Sequence, residues 1–193
     1  MLSSENQKAL EKVSNLLGIS PRKMYALINF ESGFNPNAEN PYSHAKGLIQ
    51  FTRGTAQNLG YKDQFDLVKK HPTIKSQLLT PVYNYLKAFR PFYGDQSFFM
   101  SVFYPKYRTG SIYRPFPDYV QKVNPGIKTP NDYIKKIYLH SGLTYLPPAL
   151  ILIGAGIALF TYLKKGVSHG SKKNQGKQSA GQKASNAGTG KPE

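Results

Sequence analysis

The stretch NFESGFNPNAENPYSHAKGLIQFT, residues 29–52, carries a lone glutamate at the end of an apolar run, just before residues that cannot continue a helix. The preceding residues, SPRKMYALINFES, begin with Ser20 as an N-cap and Pro21 at the first helical position. Gly33 and Pro36 supply stop signals, so the pattern predicts one short helix over Ser20 to Ser32. Counting back from Glu31 by three, four and seven residues reaches Ile28, Leu27 and Met24, which places the carboxylate on an apolar stripe. Partial desolvation and the negative end of the helix dipole both raise the pKa of a carboxyl at that address above its usual value of about 4.3. A carboxyl that keeps its proton near neutral pH can serve as a general acid. A glutamate at a helix end that turns out to water fits the same spacing, and periodicity alone leaves both readings open.

Composition narrows the chemistry. The 193 residues carry a formal net charge of +16 and no cysteine, which excludes disulfides and thiolate catalysis and favours anionic partners such as nucleic acid, anionic lipid or an acidic wall polymer. His44, His71, His140 and His169 are scattered and belong to no HExxH or Cys/His pattern, so no metal site is expected. A phosphate-binding glycine loop and a G-x-S-x-G elbow are also missing, and no cofactor is expected.

The N-terminal MLSSENQKALEKV lacks the basic start and apolar core of a secretory leader and reads as a helix. Ser4 and Gln7 are placed as a capping box, Leu10, Val13 and Leu17 form one face, and Gly18 ends it. TPVYNYLKAFRPF, QSFFMSVFYPKY and TPNDYIKKIYLH carry helical spacing, with Thr80 and Thr129, each followed by proline, marking two starts. GLIQF, residues 47–51, is the best candidate for a short extended piece. These signals describe a mainly α chain with one helical domain over residues 1–140.

Residues 141–163, SGLTYLPPALILIGAGIALFTYL, contain no charge and are long enough to cross a hydrocarbon layer about 30 Å thick, so a transmembrane helix is expected there, with a buried core helix as the alternative. Residues 164–193 are rich in Gly, Ser, Lys, Asn and Gln and are expected to be a disordered basic tail, open to lipid headgroups or nucleic acid.

ESGFNPNA at residues 31–38, GLIQF at 47–51 and TAQNLG at 55–60 together resemble the lytic transglycosylase domain of the soluble-lytic-transglycosylase type, which has a goose-type lysozyme-like fold. The resemblance implies Glu31 as general acid and base and Ser32 as its neighbour. It implies Gly47, Leu48 and Gln50 of the GL-x-Q segment as substrate-binding, with Gln50 touching the glycan. SVFYPKY stands where the family has AYN-x-G, so Tyr104 is the implied site tyrosine and Pro105 replaces the asparagine. DYVQKV at residues 118–123 resembles the YV-x-x-V helix, with Tyr119 as its tyrosine, and Pro115 occupies a place where many members carry glutamate.

The implied activity is cleavage of the β-1,4 bond between N-acetylmuramic acid and N-acetylglucosamine in peptidoglycan, leaving a 1,6-anhydro end. An inverting lysozyme is the alternative if Glu39, Asp63 or Asp66 folds back to about 6.5–9.5 Å from Glu31. A non-catalytic, membrane-anchored wall-binding protein is a further one. The architecture suggests a bacteriophage virion membrane, with other virion proteins as neighbours and local wall penetration as the task. The competing location is a bacterial inner membrane with the enzyme domain facing the periplasm.

Overall fold

The computed structural model describes residues 2–145. The chain divides into two units, Met1–Tyr145 and Leu146–Glu193, and the description concerns the first. The expected tail, and the expected membrane span from residue 146 onward, lie outside the described residues. Among the described residues, no helix is long and apolar enough to cross a membrane.

Helix α1, Ser4–Leu17, buries Ala9, Leu10, Val13 and Leu17 on one face and stops at Gly18, whose φ of 70° is left-handed. Its N-cap is Ser3 rather than the expected Ser4: the Ser3 hydroxyl accepts from Asn6 N at 3.3 Å. Gln7 does not close a capping box, because its side-chain amide donates instead to Glu11 at 3.1 Å. Helix α2, Pro21–Ser32, has Pro21 at its start and Gly33 at its end, as the punctuation predicts. Met24, Ala26, Leu27 and Ile28 are fully buried, and α1 packs against α2.

Short helices follow: α3, Arg53–Asn58, which carries most of the TA-x-x-LG segment that the resemblance makes helical, and α4, Gln64–Lys70, which the sequence reading did not anticipate. Helix α5, Ile74–Gln77, runs through a widened π-helical turn, Leu78–Val82, into α6, Tyr83–Lys87. The expected start at Thr80 is therefore the middle of a continuous helical run. Its real cap is Thr73, whose hydroxyl and Ser76 form a reciprocal capping box. Pro81 has no N–H to donate and its ring crowds the preceding turn, and the π-helical turn absorbs both defects without ending the run.

Helix α7, Gly94–Phe103, a 3-10 turn at Pro105–Tyr107, α8, Asp118–Val123, and α9, Pro130–His140, complete the unit. Thr129 caps α9 with Asp132 and Pro130 occupies its first position, as expected. Helix α9 packs on both α2 and α7, which puts the chain's last described helix beside the end of its second. Residues 141–145 continue this unit: Leu143 N donates to Tyr138 O at 2.9 Å, and the Tyr145 hydroxyl donates to Asn131.

Candidate active site

Burial of Met24, Leu27 and Ile28 sets the rotation of α2 about its axis, and that rotation turns Glu31 toward a cleft instead of open solvent. Gly33, left-handed at φ 58°, returns its N–H to Asn29 O at 3.0 Å and ends the helix directly after the site. The cleft holds about 290 Å³. Phe30 and Glu31 come from α2, Asn40, Ser43, Ile49 and Gln50 from the following loop, Val102 and Phe103 from α7, Asn124 and Ile127 from the connection after α8, and Tyr133 from α9. Among the described residues lining it, Glu31 is the only carboxylate.

Glu31 is half-buried, and the protein packed around its carboxyl raises its pKa from 4.5 to about 7. Burial is the larger influence, and a hydrogen bond donated by the Tyr133 hydroxyl opposes it by stabilising the carboxylate. Each fully buried Met, Leu or Ile side chain contributes about 1.5–3 kcal/mol to folding, so the stripe on α2 outweighs the cost of keeping one carboxyl partly dry. Tyr133 is itself buried, with its pKa raised well above the usual phenol value, mainly by desolvation and then by the adjacent Glu31. Its hydroxyl therefore keeps its proton and donates a hydrogen bond to Glu31. Its ring stacks on Phe103, centroids 4.3 Å apart and 22° from parallel, and meets the edge of Phe30 at 5.6 Å. Two aromatic contacts thus aim the hydroxyl at Glu31.

The loop after α2 is tied back to the helix end. Ser32 Oγ lies 3.0 Å from Leu48 O and 3.1 Å from Ile28 O, and its single hydroxyl hydrogen serves these two acceptors. GLIQF is a tight turn, not the expected extended piece, and an antiparallel bridge between Lys46 and Phe51 closes it. Gly47 opens the turn at φ 80°, and Gln50 closes it at φ 55°, a left-handed conformation uncommon for a residue with a side chain. Gln50 N and Nε2 both donate to Gly47 O, at 3.2 and 3.0 Å, which leaves Oε1 available at the cleft. Gly47 and Leu48 are both buried, and of these three Gln50 alone lines the cleft.

The structure does not bring Tyr104 and Tyr119 to Glu31. Their hydroxyls lie 2.7 Å apart and pair with each other, Tyr119 is 64 % exposed, and neither lines the cleft. Phe103, next to Tyr104 in the chain, and Asn124, just after the helix that carries Tyr119, do. The tyrosine that reaches Glu31 is Tyr133, which the sequence reading missed. A signal was present: DYIKKI at residues 132–137 repeats the D-Y-x-x-K pattern of DYVQKV at 118–123. Periodicity could not tell the two copies apart, and the packing of α9 against α2 separates them.

The other acidic candidates are engaged elsewhere. Glu39 accepts from Lys46 at 2.8 Å and lies 2.9 Å from His44 Nδ1, contacts that hold its pKa below the usual range. Asp63 caps α4 through Asp66 N at 2.8 Å, and Asp66 pairs with Lys70 at 2.9 Å, which lowers its pKa. No group of three or more His, Asp or Glu able to hold a metal ion occurs among the described residues.

Residues 8–89 match the family described as "Transglycosylase SLT domain". The matched stretch contains Glu31, Ser32 and the Gly47–Gln50 turn and ends before Tyr104, Tyr119 and Tyr133. Neither the curated proteins nor the solved structures yield a match.

Proposed function

We propose that residues 8–89, which match the SLT transglycosylase family, act as a lytic transglycosylase domain in which Glu31 alone cleaves the β-1,4 bond between N-acetylmuramic acid and N-acetylglucosamine, first as acid and then as base. The family points to peptidoglycan lytic transglycosylase activity in general. The bond and the product are our reading, and what supports them is a single cleft carboxylate with its pKa raised to about 7.

In the first half of the reaction the protonated Glu31 gives its proton to the glycosidic oxygen as the bond from that oxygen to muramic C1 breaks. A carboxyl whose pKa lies near the working pH is well matched to that transfer. In the second half the muramic C6 hydroxyl closes on C1, and its proton returns to the Glu31 carboxylate. The enzyme ends as it began, no water is consumed, and no second carboxylate is needed. An inverting hydrolase requires a second carboxyl about 6.5–9.5 Å away to activate water, and Glu39, Asp63 and Asp66 are all engaged outside the cleft lining. Tyr133 stabilises the carboxylate stage through its hydroxyl and so eases release of the proton in the first half. Gln50 Oε1 is offered to a donor on the sugar, such as an acetamido N–H.

Mass spectrometry of fragments released from peptidoglycan tests this reading. Ends lighter by one water than reducing ends support it, and reducing ends alone assign the chain to the lysozyme class. A cleft that binds glycan strands without releasing fragments leaves a wall-binding module.

The setting is a separate proposal. The uncharged run at residues 141–163 and the lysine-rich tail support anchorage in a membrane, which we place in a virion that opens the wall locally during genome delivery. Detergent extraction of purified particles should release the protein. Its presence in cell membranes alone, and not in particles, moves it to the inner membrane.

A further inference from the structure

Gln77, the last residue of α5, does not line the cleft and is completely buried. A buried amide needs partners for both of its ends, and this one has them. Oε1 accepts from Leu48 N at 2.9 Å, and Nε2 donates to Pro36 O at 2.7 Å and to His71 O at 3.0 Å. One N–H and two carbonyls surround the group, so its orientation is determined by its partners. The fit against the loop is close. A Cβ at Gly47 would sit 2.7 Å from Gln77 Oε1, and the φ of 80° there already disfavours any side chain.

What the amide grips is the frame of the cleft. Pro36 lies on the loop as it leaves α2, and Leu48 lies within the turn. The carbonyl of Leu48 receives the Ser32 hydroxyl one residue from Glu31, and the carbonyl of Gly47 receives both donors of Gln50. Gln50 depends on this support, because its left-handed backbone conformation is one a side chain resists.

We propose that Gln77 is a positioning residue for glycan cleavage: its amide fixes the Gly47–Leu48 peptide and thereby places Gln50, and the Glu31–Ser32 helix end, against the bound strand. The inference rests on the reading of the cleft given above. It singles out Gln77 from other buried polar residues because its Oε1 holds Leu48 N, in the turn that carries Gln50 to the cleft.

The test uses the full chain, soluble peptidoglycan strands and rates per folded molecule, measured well below each variant's unfolding temperature. Gln77→Glu preserves shape and still accepts from Leu48 N, but its second oxygen faces two carbonyls and donates to one only when protonated. At pH 8 kcat should fall roughly tenfold to a hundredfold, the scale expected when reacting groups are displaced by about an ångström, with a smaller change in KM. The ratio of variant to wild-type rate should recover as pH falls and the buried carboxyl, which desolvation and the two facing carbonyls hold above its usual range, takes up its proton. Dividing by the wild-type rate removes the titration of Glu31 itself.

Gly47→Ala should give a similar loss by pushing on the amide from the other side. Combining it with Gln77→Ala should cost less than the product of the two separate losses, as expected for two residues acting through one contact. If Gln77→Glu fails to fold, Gln77→Met keeps the length, removes the charge and should show the loss without the recovery. Variants that melt earlier yet cleave at the wild-type rate at every pH overturn the proposal and leave Gln77 a structural amide. A wild-type protein that releases no fragments overturns the parent reading, and this inference with it.

Discussion

The two sides of the cleft are built by different means. The side formed by α2 and its following loop, residues 21–51, is assembled from neighbours in sequence: a proline start, at which Ser20 makes no side-chain capping bond, a buried stripe, a left-handed glycine stop, and a turn whose hydrogen bonds span a few residues. The other side takes Phe103 from α7, Asn124 and Ile127 from the connection between α8 and α9, and Tyr133 from α9. The first side can be read along the chain, and the second exists only once α9 has packed on α2 and α7. The reacting group sits on the legible side, whereas the group that tunes it arrives from the other.

That contrast can be broken most forcefully at Glu31. If all of the acid–base work is done by this one carboxyl, Glu31→Gln should lower the rate of fragment release by about 10²–10⁴-fold, the usual share of general acid–base catalysis, with the circular dichroism of the fold unchanged. Retention of most of the wild-type rate would remove Glu31 from the reaction.

A second effect of the same substitution concerns stability. The folded pKa of Glu31, about 7, lies above its ordinary value of 4.5, so the folded state binds the proton more tightly and the group's contribution to stability falls as pH rises through that interval. Glu31→Gln removes that penalty and still offers an oxygen to Tyr133. The variant should be more stable than wild type at pH 8 by about 1–3 kcal/mol, the upper figure being the full pKa difference and the lower allowing for water in the cleft, and the gap should close near pH 4. Thermal melts of both proteins across that range measure it. A gap that does not vary with pH would mean that the carboxyl is solvated.

Tyr133→Phe tests the side that sequence did not reveal. Loss of a hydrogen bond to the carboxylate should raise the Glu31 pKa further, moving its limb of the pH–rate profile to higher pH, and should lower kcat by about tenfold, the cost of one hydrogen bond to a charged group. Tyr119→Phe supplies the control and the smallest effect. Its hydroxyl meets only Tyr104 and lies away from the cleft lining, so the rate should stay within about twofold of wild type, because exposed polar substitutions of this kind change energies by less than about 0.5 kcal/mol. A larger loss in Tyr119→Phe than in Tyr133→Phe would reverse the assignment of the two tyrosines.

Much of the fold was legible because helix signals are local. Pro21 and Gly33 bound α2, Gly18 bounds α1, and Thr129 with Pro130 opens α9, each through backbone chemistry within a turn of the residue concerned. Thr80–Pro81 misled for the same reason. It carries a start signal, and the continuous run through it depends on a π-helical turn that widens around the proline, a feature no cap rule describes.

By itself, the sequence determined that Glu31 stands on an apolar stripe at a helix end and that a glycine-bounded turn follows it, because side-chain direction on a helix and left-handed backbone are set within a few residues. Tertiary structure decided what surrounds that carboxyl. Tyr133 reaches it across 102 residues of chain, Gln77 reaches the turn across 29, and Glu39 and Asp66 are taken up by lysines. The physical reason is that a pKa raised by burial, and the choice between two matching tyrosines, depend on which surfaces pack together, and packing between distant segments leaves no periodic mark on either one.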